Sequence, residues 1–215
     1  MIQAIHSAIF ERHRGAVSFG YTLDLSGLHQ RHGTVRQVTQ VHGALVLDDP
    51  HYTSNQNPAD GLVTDLADTA LVVKTADCLP VLASDGTRLV ALHAGWRGLK
   101  AGIIKSLADW LDPRSAFVFI GPAISPSCYE VDADLYQSWL RDDPALANQL
   151  SPAPAGGTKR LLDTKAVALR HLQEIGFAPE AVECSPTCTF RSGLPSWRRE
   201  QPDKRRLYSF IVRRN

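Results

Sequence analysis

The chain has 215 residues, with 23 Lys plus Arg against 22 Asp plus Glu and a formal net charge of +1. That length suits a single domain with its own core, and the near-neutral balance excludes a nucleic-acid binder that works through an overall basic surface. A hydrophobic fraction of 44% with 21% charged residues excludes wholesale disorder, and no apolar run approaches the ~20 residues of a membrane-spanning helix.

The opening Met-Ile-Gln-Ala-Ile-His lacks a basic segment followed by a long apolar one, so no secretory signal is read. Four cysteines are too few for a disulfide scaffold, which points to a reduced, cytoplasmic protein. Short apolar runs predict strands at 35–41, 45–47, 70–74 and 89–93. A helix follows over 99–111, with Leu99, Ile103, Ile104, Leu107, Trp110 and Leu111 on one face. A strand is predicted at 116–120 and a helix at 132–140, opened by Asp132. The stretch 142–157, with Pro144, Pro152, Pro154 and Gly156-Gly157, reads as a loop. A helix over 164–175 is capped by Asp163 and stopped by Gly176, and strands at 182–184 and 207–212 complete the series. Strands and helices intersperse without a βαβ rhythm. That predicts an α+β fold, mixed β-sheets flanked by helices, with residues 1–215 forming one domain.

The chemistry-bearing residues concentrate between Gln40 and Gly98. His42, Cys78 and His93 each sit at the end of a predicted strand beside a turn residue: Gly43, Pro80 and Gly95. Two imidazoles and a thiolate make a three-ligand set of the kind that binds catalytic zinc and leaves one position open. Read residue by residue, a strand cysteine is also a common buried hydrophobe. A metal-free reading uses the same atoms: Cys78 as nucleophile, His93 as its base and Asp77 or another carboxylate as orienter. His93-Ala94-Gly95-Trp96-Arg97-Gly98 precedes the predicted helix, so it offers an anion site at a helix N-terminus, with Arg97 as a bidentate phosphate contact and Trp96 as a stacking face. The plainer alternative is a strand-to-helix turn with a core tryptophan and a surface arginine.

Four motifs in order, Gln40-Val41-His42-Gly43, Asp60-Gly61-Leu62-Val63-Thr64, Thr75-Ala76-Asp77-Cys78-Leu79-Pro80 and His93-Ala94-Gly95-Trp96-Arg97-Gly98, resemble the laccase-domain family. That family is also labelled multicopper polyphenol oxidase, purine nucleoside phosphorylase or peptidoglycan-editing factor. Gly121-Pro122-Ala123-Ile124, Tyr129-Glu130-Val131, Leu162-Asp163 and Cys188-Thr189 continue the likeness, which runs from about Val17 to the C-terminus. The resemblance implies that His42, Cys78 and His93 are the metal ligands. It implies a fold shared with cysteine hydrolases of the cytotoxic necrotizing factor type. It also implies zinc-dependent phosphorolysis of adenosine, inosine or methylthioadenosine, together with adenosine deamination. The chain departs from the family pattern in two places. Arg14-Gly15-Ala16-Val17-Ser18 stands for a longer Arg-x-Gly-Gly-Val-Ser element, and Leu194-Pro195-Ser196-Trp197-Arg198-Arg199 has lost an aromatic pair before its serine.

The leading reading is therefore a purine nucleoside enzyme, with nucleoside and phosphate as small-molecule partners, Cys78 and Arg97 in the chemistry and Asp77 as a candidate proton-transfer group. The runner-up is an amidase or hydrolase of a cell-wall precursor that uses the same centre. A copper-dependent oxidase ranks third, because eight histidines include no His-x-His pair of the sort that bridges copper centres, although the trio would take Cu²⁺ in place of Zn²⁺. A nucleic-acid-binding module ranks below these; eight basic against two acidic residues in 191–215 read as a solvated surface. No membrane partner is read, family members are usually treated as monomers, and Cys188 reads as a buried thiol.

Overall fold

The computed structural model describes residues 10–144, 147, 150–152, 158–201 and 205–215. In chain order its elements are β1 (Phe10–Arg14), β2 (Val17–Thr22), α1 (Leu25–His32), β3 (Thr34–Arg36), β4 (Val46–Leu47), β5 (Gly61–Thr64), β6 (Thr69–Thr75), β7 (Leu79–Ser84) and β8 (Leu89–Ala94). Then come α2 (Trp96–Lys100), β9 (Phe117–Ile120), β10 (Glu130–Asp132), α3 (Ala133–Asp142), β11 (Leu150–Pro152), β12 (Lys159–Leu162), α4 (Thr164–Glu174), β13 (Val182–Cys184), α5 (Trp197–Glu200) and β14 (Leu207–Arg213). They form three sheets, ordered β1-β2-β14-β6-β3, β13-β9-β7-β8-β5-β4 and β10-β12-β11. The two large sheets each contain parallel and antiparallel pairs, so the architecture is the mixed α+β arrangement expected from the sequence.

The two large sheets face each other. Val17, Phe19, Leu71, Val73 and Ile211 of the first pack against Leu62, Leu82, Leu89, Ala91, Phe117 and Phe119 of the second. The pleat sends alternate residues the other way. Ala70, Val72, Phe210 and Val212 meet Leu28 of α1, while Val81, Ala83, Val90 and Leu92 meet Leu99, Ile103, Val167 and Leu172. The result is helix, sheet, sheet, helix in layers. A strand buried on both faces reads as a continuous apolar run, which is why β6, β8, β9 and β14 stand out in the sequence.

Several expectations change. The strand predicted at 35–41 ends at Arg36, because Gln37 N donates to Asn55 Oδ1 and Thr39 N to Asn57 O instead of to a sheet. The helix predicted over 99–111 is the five-residue α2, starting earlier at Trp96, followed by turns and a 3₁₀ segment at Lys105–Asp109. Gly102 breaks it, with φ of 85° in the left-handed region. The helix at 164–175 forms as read, with Asp163 Oδ1 accepting from Ala166 N. Of the expected loop at 142–157, Leu150–Pro152 is a strand, and Pro154 and Gly156-Gly157 lie outside the described residues, as does the opening hexapeptide. Gly15-Ala16 is the turn between β1 and β2, and the guanidinium of Arg14 before it lies 4.9 Å from the Phe117 ring centroid.

Candidate metal centre

Strand register builds the site. β5 and β8 pair antiparallel, with Gly61 opposite Leu92 and Leu62 opposite Ala91. One step further along this ladder Asp60 meets His93, and His93 N donates to Asp60 O at 2.7 Å. The two side chains therefore project together, on the face that Leu62 and Ala91 give to the inter-sheet core. His93 Nδ1 and Asp60 Oδ1 are 2.8 Å apart, and both residues are buried. On the other side of β8, Pro80 of β7 lies opposite His93, and Cys78 immediately precedes β7.

His42 arrives on a loop that the Asp60 carboxylate organises. Asp60 Oδ1 accepts from His42 N at 2.9 Å, and Oδ2 accepts from Gly43 N at 2.6 Å and Val41 N at 3.3 Å. Gln40 ties the same loop to β6: its Nε2 donates to Lys74 O and its Oε1 accepts from Lys74 N, at 2.7 and 2.8 Å. His42 itself is held at φ of 61°, an uncommon conformation for a residue with a side chain. Such strain persists where neighbouring contacts over-determine it, as they do here.

The ligand atoms of His42, Cys78 and His93 all lie within 4.8 Å of one another. Their exposure is graded, from exposed His42 through half-buried Cys78 to buried His93. The two imidazole rings meet edge-on, with centroids 4.9 Å apart and planes at 84°. Because Nδ1 of His93 is committed to Asp60, its Nε2 is the nitrogen available to a metal, the usual arrangement of a carboxylate behind a ligating histidine. Burial pushes the Cys78 thiol up, but hydrogen bonds to His42 and His93 outweigh it and hold the group at about 7. Burial pulls His93 down, yet Asp60 and Cys78 raise it to about 9. A site that already favours thiolate beside imidazolium is prepared for a cation in place of those protons.

Gly95 tests the fit. A Cβ built there would lie 3.2 Å from His42 Cδ2, 3.3 Å from Cys78 Sγ and 3.8 Å from His93 Cε1. All three candidate ligands thus crowd one glycine, which leaves room for them and no more. The donor set, two nitrogens and one sulfur, suits zinc and also copper.

The trio opens into a cavity of about 880 Å³, also lined by Asp77, Trp96, Arg97, Tyr129, Trp197 and Arg198. Arg97 is exposed, with its guanidinium 4.4 Å from the Trp96 ring centroid. The helix N-terminal anion site expected here loses its basis: α2 has only five residues, too short for an appreciable dipole. Of that expectation, the exposed Arg97 side chain at the cavity is what remains. Asp77 also lines the cavity, but its oxygens accept from Thr189 Oγ1 at 2.5 Å, Ser196 Oγ at 3.1 Å and Arg198 N at 2.7 Å. Cys188 is half-buried rather than fully enclosed, with Sγ accepting from Ser125 N at 3.3 Å. Sequence reasoning gave Asp60 no role. Its motif was visible, but the cross-strand step that sets it beside His93 was not.

Over residues 13–214 the chain matches the family model described as multi-copper polyphenol oxidoreductase laccase. It is 33% identical over 190 residues to a Synechocystis protein named purine nucleoside phosphorylase slr1573, covering 74% of this chain and 72% of that one. It is likewise 33% identical over 180 residues to the Escherichia coli protein named purine nucleoside phosphorylase YfiH, covering 80% and 71%. The crystal structure of Neisseria meningitidis protein NMB0706 is similar with a TM-score of 0.85 at 27% identity, over 96% of this chain and 99% of that one. YlmD from Geobacillus stearothermophilus shares the fold, with a TM-score of 0.80 at 23% identity over 97% and 100%.

Proposed function

The chain belongs to the multi-copper polyphenol oxidoreductase laccase family, and from that premise we propose that it is a zinc-dependent purine nucleoside enzyme. It cleaves adenosine, inosine or methylthioadenosine by phosphorolysis and deaminates adenosine at the same centre. The observation that carries this reading is the convergence of His42, Cys78 and His93 within 4.8 Å, in the cavity that Arg97 also lines. The names of the Synechocystis and Escherichia coli relatives support its phosphorylase part.

His42, Cys78 and His93 would hold the ion, which when bound supplies Lewis-acid polarisation. In phosphorolysis a phosphate oxygen bonds to ribose C1′ as the bond from C1′ to the base nitrogen breaks. The base leaves with the proton given up by hydrogen phosphate, and the sugar product is ribose 1-phosphate, or 5-methylthioribose 1-phosphate from methylthioadenosine. Arg97 holds the phosphate by paired N–H donors and offsets its charge. Asp60 fixes His93 in one tautomer and one orientation, with the proton on Nδ1. Asp77 serves as a positioning group, since three donors already occupy its oxygens. We place the enzyme in the cytoplasm as a monomer, where its four free cysteines stay reduced.

One observation favours a second reading. Cys78, His93 and Asp60 follow one another as thiol, imidazole and carboxylate, the order of a metal-free nucleophilic triad. A kinship with cysteine hydrolases of the cytotoxic necrotizing factor type goes with that reading, and its substrate would be a peptidoglycan-precursor amide.

Incubation of the zinc-loaded chain with adenosine, with and without phosphate, separates these chemistries. Adenine released only with phosphate supports phosphorolysis, and inosine in both tubes supports deamination. Cys78→Ala removes both activities together while the chain stays folded. Inert nucleosides combined with turnover of a muramyl peptide would replace the nucleoside reading with the amidase.

A further inference from the structure

Three aromatic side chains line the cavity: Trp96, Tyr129 and Trp197. Two already carry a cation on the ring. The Arg97 guanidinium lies 4.4 Å from the Trp96 centroid, and that of Arg198 lies 5.3 Å from the Tyr129 centroid. Among the described residues, no ring or guanidinium is stacked on Trp197. It is 46% exposed, although tryptophan is a residue that folding normally covers. A bare indole inside a cavity that also contains a candidate metal centre is a ready face for a planar ligand.

Its placement is not left to chance. α5 has only four residues, too few to sustain a helix alone. Asp77 Oδ2 holds the segment on both sides of Trp197, through Ser196 Oγ before it and Arg198 N after it. Asp77 Oδ1 takes Thr189 Oγ1, which anchors the chain that leads into the segment. The backbone of Asp77, meanwhile, sits at φ of 90°, and the next residue is Cys78. Backbone strain of this kind gathers at functional sites. One residue thus fixes a metal-ligand candidate through its main chain and an aromatic wall through its side chain.

We propose that Trp197 is the face on which the purine ring of the substrate stacks, and that Asp77 is the positioning residue that sets this face relative to Cys78. The inference rests on the nucleoside reading above and names where the base lies. Arg97, with Trp96 beneath it, then remains for the phosphate.

The test measures inosine binding to the zinc-loaded chain by calorimetry and tryptophan fluorescence, then phosphorolysis kinetics. In the wild type, inosine quenches fluorescence saturably. Trp197→Leu removes most of that quench and raises KM about tenfold, while kcat changes less. Trp197→Phe, which keeps an aromatic face, stays within about threefold of the wild-type KM. Asp77→Asn keeps one zinc per chain and raises KM as Trp197→Leu does, and the double variant adds little to either alone. Wild-type affinity in Trp197→Leu would overturn the stacking role. Wild-type KM in an Asp77→Asn variant that keeps its zinc would overturn the positioning role. No nucleoside binding by the wild type would overturn the proposed activity together with this inference.

Discussion

Asp60 is fully buried, and its carboxylate takes four donors: the amides of Val41, His42 and Gly43, and Nδ1 of His93. Charge on this group therefore holds two of the three candidate ligands. Asp60→Asn keeps the shape but replaces one acceptor oxygen with a donor NH₂, which faces donors already in place. Zinc affinity is expected to fall about 10–100-fold, read by competition with a chromogenic chelator. Unchanged affinity would mean that His42 and His93 are held by other contacts. At this scale the sequence singled out His42, Cys78 and His93 at the ends of strand-like runs, and Arg97 just before a predicted helix. Asp60 stayed hidden because its role depends on a pairing between residues 33 positions apart. Gln40 stayed hidden for the same reason: its carboxamide bonds the Lys74 main chain, 34 positions away.

Among the helices, α1 shows how a buried titratable group acts on stability. It covers the outer face of the first sheet with Leu28 and His32, and His32 lies against Phe210 with ring centroids 5.6 Å apart. Among the described residues, neither ring nitrogen of His32 has a hydrogen-bond partner. Burial lowers its pKa from the ordinary 6.5, and the nearby Arg214 and Arg31 lower it further. The folded chain thus resists a proton that the unfolded chain accepts near pH 6.5. Stability present above that value is lost as the pH falls below it. His32→Phe keeps a ring against Phe210 and removes the titration, so its Tm should decline less than that of the wild type between pH 7 and pH 5. Equal declines would place the acid sensitivity elsewhere, with His171 on α4 next in line, since its Nδ1 also lacks a partner among the described residues and its pKa is also lowered. Element by element, the doubly buried β6, β8, β9 and β14 were legible, while β2 and β5, also largely buried on both faces, went unread, and three further elements stayed hidden or misled. β1 carries Glu11, Arg12, His13 and Arg14 and reads as surface. β7 contains Pro80, which argues against a strand until its register opposite His93 is known. The long helix at 99–111 had its apolar spacing, yet Gly102 in the left-handed region outweighs that periodicity.

Across the whole molecule, the C-terminal strand β14 lies between β2 and β6, so both ends of the described chain meet in one sheet. The centre draws on segments near 42, 60, 78 and 93, and its rim on 189–198. Much of the basic C-terminal stretch has structural work. Arg199 donates to the carbonyls of Thr189, Phe190, Ser192 and Leu194, Arg205 pairs with Glu200, and Arg213 donates to Asp65 O. Such commitments agree with ranking nucleic-acid binding low. Sheet order was not legible in the sequence, because short strands with similar apolar faces pair by long-range register that no local run specifies. The account as a whole depends on one ion held by two nitrogens and a sulfur. X-ray absorption at the zinc edge of the fully loaded chain, with metal content measured on the same sample, tests that directly. The account predicts one zinc per chain with one sulfur and two imidazoles in its shell, and loss of the ion in Cys78→Ala. Zinc absent from the loaded wild type, or held without a sulfur neighbour, would contradict it.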